Sequence, residues 1–357
     1  MTLVVALGSW VGCRSDEPRS DVVQSDPDRS LVAANGVLFS TLVEGGDGWA
    51  LVVDGKGKTR WSVRAPAKEH VGRVRRARNG DILVGLYDPE HEEGVGLIQR
   101  FDDEGNVLTE TLAPTFHHDL VELNDNRFAY LGHVFGDVEV GMLGVVPVAT
   151  DQVRVGPEGG VSEGVFDFLS DYSIEPYWPC DHMALDRRVE GYYEWTHSNS
   201  LVPWGDGFLL MARWIDTLVA LDADYNVVWR LGGPESDLDG GETPLFQHAH
   251  MSWAEGNRVL IFDNGWDHAA VRPPSRVIEL EIDVAGGTAT EVWSYQDPEG
   301  ASTQFLGDAQ RLANGNTLIS WGGLGRVTEV TPTGDVVWRL DVEVSVGRVE
   351  LWEGVLP

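Results

Sequence analysis

The sequence predicts an all-β fold, a six-bladed β-propeller, on three observations. Short strands of alternating polarity recur with a period of about 35–50 residues. Most units carry two Gly-, Asn- or Asp-rich turns with flanking strands, which gives about four strands per unit. No apolar run of helical period reaches ten residues. A pair of β-sandwiches is the competing architecture, but it has no need of the repeat.

Taken from the amino terminus, the stretch Thr2 to Gly12 is short and apolar and runs into Cys13, which reads as a lipoprotein-type signal ending at an acylated cysteine. No Lys or Arg precedes the apolar run, so a buried strand is the other reading. Residues 14–30 are polar, charged and aperiodic and are expected to be a disordered tether. The propeller is expected over 31–357. Its first turns fall at Asn35-Gly36, Asn79-Gly80, Asn124-Asp125-Asn126, Gly205-Asp206-Gly207, Glu255-Gly256-Asn257 and Asn314-Gly315-Asn316. Second turns such as Asp54-Gly55-Lys56-Gly57 and Asp222 to Asn226 follow, and Trp61, Trp229, Trp293 and Trp338 mark the strands after them. The blades are then approximately 31–65, 70–112, 115–170, 195–235, 246–297 and 305–342, with a closing strand in Val342 to Leu351. An insertion at about 151–196 breaks the rhythm. Part of it is expected to be the outer strand of blade three; the remainder arches over the ring end, or its aromatic residues pack a small core of their own.

The composition excludes some functions. The net charge is −31, from 26 Lys and Arg against 57 Asp and Glu, which makes nucleic acid an improbable partner because phosphate binding needs cations in excess. No stretch of about 18 apolar residues is present, so no transmembrane helix is expected. With Cys13 acylated, Cys180 is a free thiol. Gly55-Lys56-Gly57-Lys58-Thr59 lacks the spacing of a phosphate-binding loop, and Cys180-Asp181-His182 reads as a bystander.

Three hairpins repeat a histidine in one register. His117, His197 and His248 are each followed, sixteen positions on, by a polar residue: His133, Arg213 and Asn264. The midpoints fall in turns, so each pair sits at the open end of a hairpin. Two residues beyond each first position come Asp119, Asn199 and His250, with Asp308 at the same place in the sixth unit, on the same face because strand side chains alternate. One ring end therefore collects imidazoles, amides and the guanidinium of Arg213. That set favours an anionic group such as sulfate or phosphate: Arg supplies a fixed fork of donors, and a neutral imidazole can attack sulfur or phosphorus. A His-ligated metal site is the competing chemistry, although Arg213 would repel a dication. No cofactor is expected. A surface-anchored propeller that binds without turnover is the alternative function.

These residues resemble a known family. His117-His118-Asp119, His197-Ser198-Asn199-Ser200 with Met211-Ala212-Arg213, Trp229-Arg230-Leu231-Gly232-Gly233, Phe246-Gln247-His248, Phe262-Asp263-Asn264-Gly265 and Gly307-Asp308 through Asn316 are similar to the motifs of bacterial arylsulfate sulfotransferases over about residues 70–340. The resemblance implies transfer of a sulfuryl group from a phenolic sulfate ester to a phenol, outside the cytoplasm, without the nucleotide donor PAPS. It implies a ping-pong sulfohistidine mechanism with His248 as nucleophile. His197, Asn199, Arg213 and the first-motif histidine would bind the sulfate and assist proton transfer. Register favours His117 for that last role, because His118 faces the other way in a regular strand. His250, Asn264, His133 and Asp308 complete the expected binding shell. Only about 30 residues precede the first blade, against a separate β-domain that helps larger members dimerise. The expectation is therefore a monomer or weak dimer, anchored by lipid in the cell envelope, periplasm or outer surface.

Overall fold

The computed structural model describes residues 17–25, 32–33, 35–42, 48–66, 69–88, 94–140, 144–172, 188–189, 191–241, 244–265 and 274–353. They form six antiparallel sheets arranged as the blades of a six-bladed β-propeller. Blade two is the plainest, a four-strand meander of His70–Arg76, Ile82–Tyr87, Val95–Phe101 and Val107–Pro114. Blade four runs from Ser198–Trp204 to Val227–Gly232, and blade five from His250–Glu255 to Thr288–Tyr295. In blades two to six the expected turns sit between the first and second strands, where Gly80, Gly205, Gly256 and Gly315 take positive φ.

The ring closes by strand exchange. Ser345–Leu351, from the carboxyl end, is the innermost strand of blade one and pairs with Gly36–Leu42, as the alternation in that tail predicts. Six apolar clusters hold the ring, one at each junction between neighbouring blades. Between blades four and five, for example, Met211, Leu218 and Trp229 meet Val259, Ile261 and Ile278. Middle strands such as Trp49–Asp54 and Gly207–Ala212 are buried on both faces, so they read as continuous apolar runs instead of alternating ones.

One feature differs from expectation. Ser20–Ser25, inside the stretch expected to be a tether, forms a fifth, outermost strand of blade six against Val336–Val342. Edge strands need only backbone pairing on one side, so a short polar segment suffices. Much of the expected insertion belongs to blade three itself. Its third strand is Gly144–Pro157, its fourth Glu163–Asp167, and Tyr192–Glu194 pairs parallel to Val148 and Ala149. Phe166, Phe168, Tyr172 and Trp195 pack on one another, which is the small aromatic core, while Glu194 reaches the ring end. Cys13, Cys180 and His182 lie outside the described residues.

Candidate active site

All six blades contribute to one cavity of about 270 Å³ at an end of the central channel. Blade three brings His117, His118 and Glu194; blade four, His197 and Arg213; blade five, His250. Blades one, two and six add Leu42, His70, Tyr87, Phe305 and Leu306. The volume lies near the lower end of the range for small-molecule sites, roughly 300–1,000 Å³.

The backbone explains why histidines gather there. His118, His197, His248 and Leu306 all have left-handed φ, at 53°, 50°, 48° and 57°. Such angles are uncommon for residues other than glycine. Each of these residues sits where its blade's chain enters the innermost strand. His118 thus shares its place with His197 and His248, and the preference for His117 is corrected. Residues 117–119 form a bulge, with Leu120 opposite Tyr130 but Phe116 opposite Gly132. The extra residues break the side-chain alternation, so both His117 and His118 reach the cavity. The His117–His133 pair is likewise not a ladder pair. The His133 amide donates to the Thr115 carbonyl at 3.0 Å, and the two imidazoles stack with centroids 4.0 Å apart.

Hydrogen bonds from behind fix the ring orientations. The Nδ1 of His197 lies 2.6 Å from Glu194 Oε1, while Glu194 Oε2 accepts from Trp214 Nε1 at 3.0 Å. A carboxylate only accepts, so His197 carries a proton on Nδ1, and the neutral ring has its lone pair on Nε2. Asn264 donates Nδ2–H to the carbonyls of Thr303 and Leu306, which leaves its Oδ1 to accept from His250 Nδ1 at 2.7 Å. The neutral His250 ring therefore also carries its proton on Nδ1. His118 and His197 meet edge to face at 4.8 Å, and His197 and His250 at 6.5 Å. Burial, together with the neighbouring imidazoles of His197, His117 and His250, holds His118 well below the ordinary histidine pKa against the pull of Glu194.

Arg213 opens a single 3₁₀ turn, Arg213–Ile215, whose cap Asp216 is left-handed. Its Nε donates to the His248 carbonyl at 3.2 Å, one terminal nitrogen donates to Gln304 O at 2.8 Å, and the guanidinium stacks 4.2 Å from the Trp214 ring. Those bonds aim a fixed cation at the cavity wall.

The remaining expected residues surround this cavity without lining it. His248 is buried against Trp214, its amide donating to Asp216 Oδ1. Asn199 donates to the Ala249 carbonyl at 2.9 Å. Asn264 and His133 stand behind His250 and His117 respectively. Asp308 accepts from the Val349 amide and, with Asp119, pairs with Arg348 on the closing strand. Sequence reasoning missed Glu194, Asp151, Trp214 and His70. The register that relates His197 to Arg213 falls on Val71 and Tyr87 in blade two, but in the structure it is His70 that pairs with Tyr87. Asp151 lies on the long third strand of blade three, directly opposite His133, and Glu194 on the short strand paired beyond it; no repeat marks either position.

His117, His133 and Asp151 bring one donor atom each within 4.8 Å of one another. The two rings are 21° from parallel and stacked. A metal bound by both nitrogens must lie in both ring planes at roughly 2 Å. Nearly parallel stacked planes share no such point close to both nitrogens, which disfavours chelation by both rings.

Fold and cavity together define a propeller whose channel mouth presents imidazole bases beside a guanidinium, an arrangement suited to an oxyanion ester. The chain belongs to the arylsulfotransferase (ASST) family, whose family model matches residues 24–346. Arylsulfotransfer is the activity that goes with that family, and aryl sulfates and phenols are the substrates that fit it. No curated protein matches the chain. Among solved structures it is similar to the periplasmic gluconolactonase PpgL of Pseudomonas aeruginosa, at 13% identity over 90% of this chain and 99% of that one, TM-score 0.47. It is also similar to an inactive H270A virginiamycin B lyase from Staphylococcus aureus with quinupristin, at 10% identity over 90% and 87%, TM-score 0.44. A Bacteroides caccae protein of unknown function gives 14% identity over 79% and 95%, TM-score 0.44. Likenesses this remote carry nothing about chemistry.

Proposed function

We propose that the protein moves a sulfuryl group from an aryl sulfate to a phenol by a ping-pong sulfohistidine route, with no nucleotide donor. The observation that supports this best is the convergence of His118, His197, His250 and Arg213 on one cavity whose other walls include Tyr87 and Phe305. The cation and the imidazoles suit the sulfate, and the aromatic walls suit the aryl group.

In the proposed first half-reaction His248 Nε2 attacks sulfur. The N–S bond forms as the S–O bond to the aryl group breaks, and Arg213 steadies charge on the sulfuryl oxygens. The aryl group leaves as a phenolate that takes its proton from solvent. In the second half, the acceptor phenol gives its proton to neutral His118 while its oxygen attacks sulfur and the N–S bond breaks. His118 then returns that proton to solvent, so the cycle balances.

His248 is chosen as nucleophile because it shares its motif and its left-handed backbone site with the series that includes His118 and His197. A second reading, with His250 as nucleophile, is favoured by one observation: its ring lines the cavity and that of His248 does not. Incubation with a radiolabelled aryl sulfate, followed by peptide mapping of the trapped enzyme, separates them. Label on His248 supports the first reading and label on His250 the second. Absence of both label and transfer to phenols overturns the function.

The envelope location is proposed from the sequence alone. Palmitate labelling that vanishes in Cys13→Ser supports it, and labelling unchanged by that substitution opposes it.

A further inference from the structure

Asp151 is fully buried at the mouth end of blade three, and its Oδ1 lies 3.2 Å from His117 Nε2. The other nitrogen of His117, Nδ1, lies 2.9 Å from His118 Nδ1. Of two facing Nδ1 atoms on neutral rings, one must donate and one accept. The carboxylate settles which: a lone pair on Nε2 would be repelled by Oδ1 at 3.2 Å, so neutral His117 carries its proton on Nε2 and its Nδ1 accepts. His118 then donates from Nδ1 and keeps a lone pair on Nε2, the state already imposed on His197 by Glu194 and on His250 by Asn264.

We propose that Asp151 and His117 are positioning residues that set the tautomer of His118, so that three imidazoles around the cavity present basic Nε2 atoms together. The catalytic part of this inference rests on the sulfuryl-transfer reading, but the tautomer itself does not. Asp151 is anchored for the role. Its second oxygen accepts from the Thr196 hydroxyl at 2.5 Å and from the Ser198 amide. Those bonds tie blade three to the strand that carries His197. Burial pushes the Asp151 carboxyl up, but His117, His133 and Thr196 outweigh it, and the group stays below the ordinary carboxylate range. It therefore remains an acceptor at neutral pH. In the second half-reaction the acceptor phenol's O–H breaks, the proton forms a bond to His118 Nε2, and the resulting imidazolium keeps its Nδ1–H bond to His117. Asp151 supports the charge without itself taking the proton.

The test is Asp151→Asn. The Ser198 amide still needs an acceptor, so the new amide keeps its oxygen there and turns its NH₂ toward His117 Nε2. That reverses His117 and, through it, His118, which becomes the Nε2–H tautomer. Nitrogen-15 spectra of histidine-labelled protein at neutral pH, without substrate, are expected to show a pyridine-like His118 Nε2 in the natural protein and a pyrrole-like one in the variant. Transfer of the sulfuryl group to phenol should slow by roughly 10²–10⁴-fold, with the donor KM little changed. Should the variant not fold, His117→Phe keeps the stack on His133 and removes the relay, and the Nδ1–H preference of His118 should vanish. An Nε2–H tautomer in the natural protein overturns the proposal. So does an unchanged His118 signal in the variants, unchanged second-half kinetics, or stoichiometric metal retained at these side chains. A tautomer that flips in a protein that transfers no sulfuryl group leaves the positioning intact and removes the sulfotransferase reading.

Discussion

Arg213 is held at three points, by the His248 carbonyl, the Gln304 carbonyl and the Trp214 face. A lysine ammonium is a point charge and cannot span the two carbonyls or stack flat on the indole. Arg213→Lys is therefore expected to lower kcat/KM for aryl sulfates by roughly 10²–10³-fold, read in a steady-state assay. Activity near that of the natural enzyme would remove Arg213 from the sulfate site. Asp216 gives a test by pH. Burial first, then the nearby Asp263 carboxylate, pushes its carboxyl up to about 7 in spite of the His248 amide and Arg213. A folded-state pKa above the unfolded value means that the native state binds the proton more tightly. Stability contributed by this group is then greatest below the unfolded value of about 3.9 and declines as pH rises through about 7. Asp216→Asn keeps the acceptor oxygen and tolerates the left-handed φ of 49°. The variant should gain melting temperature over the natural protein as pH rises from 5 to about 8, with little difference at the acid end. His118, which is shifted the opposite way, cancels in that comparison. An equal difference at all pH values would show that Asp216 does not titrate in this window.

At the scale of elements, the second turn of several blades is built on one aspartate. Asp54 accepts from the amides of Lys56 and Lys58 and from Arg60 Nε at 2.8–3.0 Å, and Asp102 and Asp222 repeat the two amide bonds in blades two and four. Burial raises Asp54, but those bonds outweigh it and hold it below its ordinary value. Its contribution to stability is complete above the unfolded pKa and fades as pH falls through the folded one. Asp54→Ala should cost about 1–3 kcal/mol at pH 7 and progressively less toward pH 3, measured by urea unfolding. A cost that does not change with pH would point to packing alone. These turns also explain what was legible in the sequence. Asn, Asp and Gly recur because the hairpins need positive φ or Asx hydrogen bonds, so blade number and limits can be read directly. The positions of His197, Arg213 and His250 follow from counting outward from a turn. Counting fails at His117 and His118 because the bulge there holds one residue more than the bulges of blades four and five, and one extra residue exchanges the two faces of a strand. It fails at Asp151 and Glu194 because they act from the third strand of blade three and the short strand beyond it, where the histidine repeat has no counterpart. It fails at Ser20–Ser25 because an edge strand is chosen by the partner it meets, Val336–Val342, and not by its own apolar pattern.

The whole molecule is a ring, and a ring must be locked. The lock is Ser345–Leu351, and its Arg348 crosses the channel to Asp119 of blade three and Asp308 of blade six. Asp119 is shared with Arg73 of blade two, at 3.2 Å, and also accepts the amides of Leu120 and Leu201. Four blades thus meet through side chains beneath the cavity, and the amide of Leu201 brings in a fifth. Burial lowers Arg348, but Asp119 and Asp308 reverse that and raise it above an ordinary arginine. Burial and the neighbouring Arg348 and Arg75 bring Arg73 down to about 9, with Asp119 and Glu350 opposing. Arg348 is therefore the cation that Asp119 chiefly compensates. Arg348→Met fills similar volume but leaves two buried carboxylates with too little positive charge. Removing one partner of such a pair costs about 3–5 kcal/mol, because the charge left behind cannot recover its hydration. The triple change Arg348→Met, Asp119→Asn and Asp308→Asn removes the stranded charges as well and should recover much of that loss. Chemical unfolding of the natural protein and both variants tests this. If the single variant is as stable as the natural protein, the network is not what locks the ring. If the triple variant is weaker than the single one, the carboxylates act through their amide bonds to Leu120, Leu201 and Val349, and not through charge.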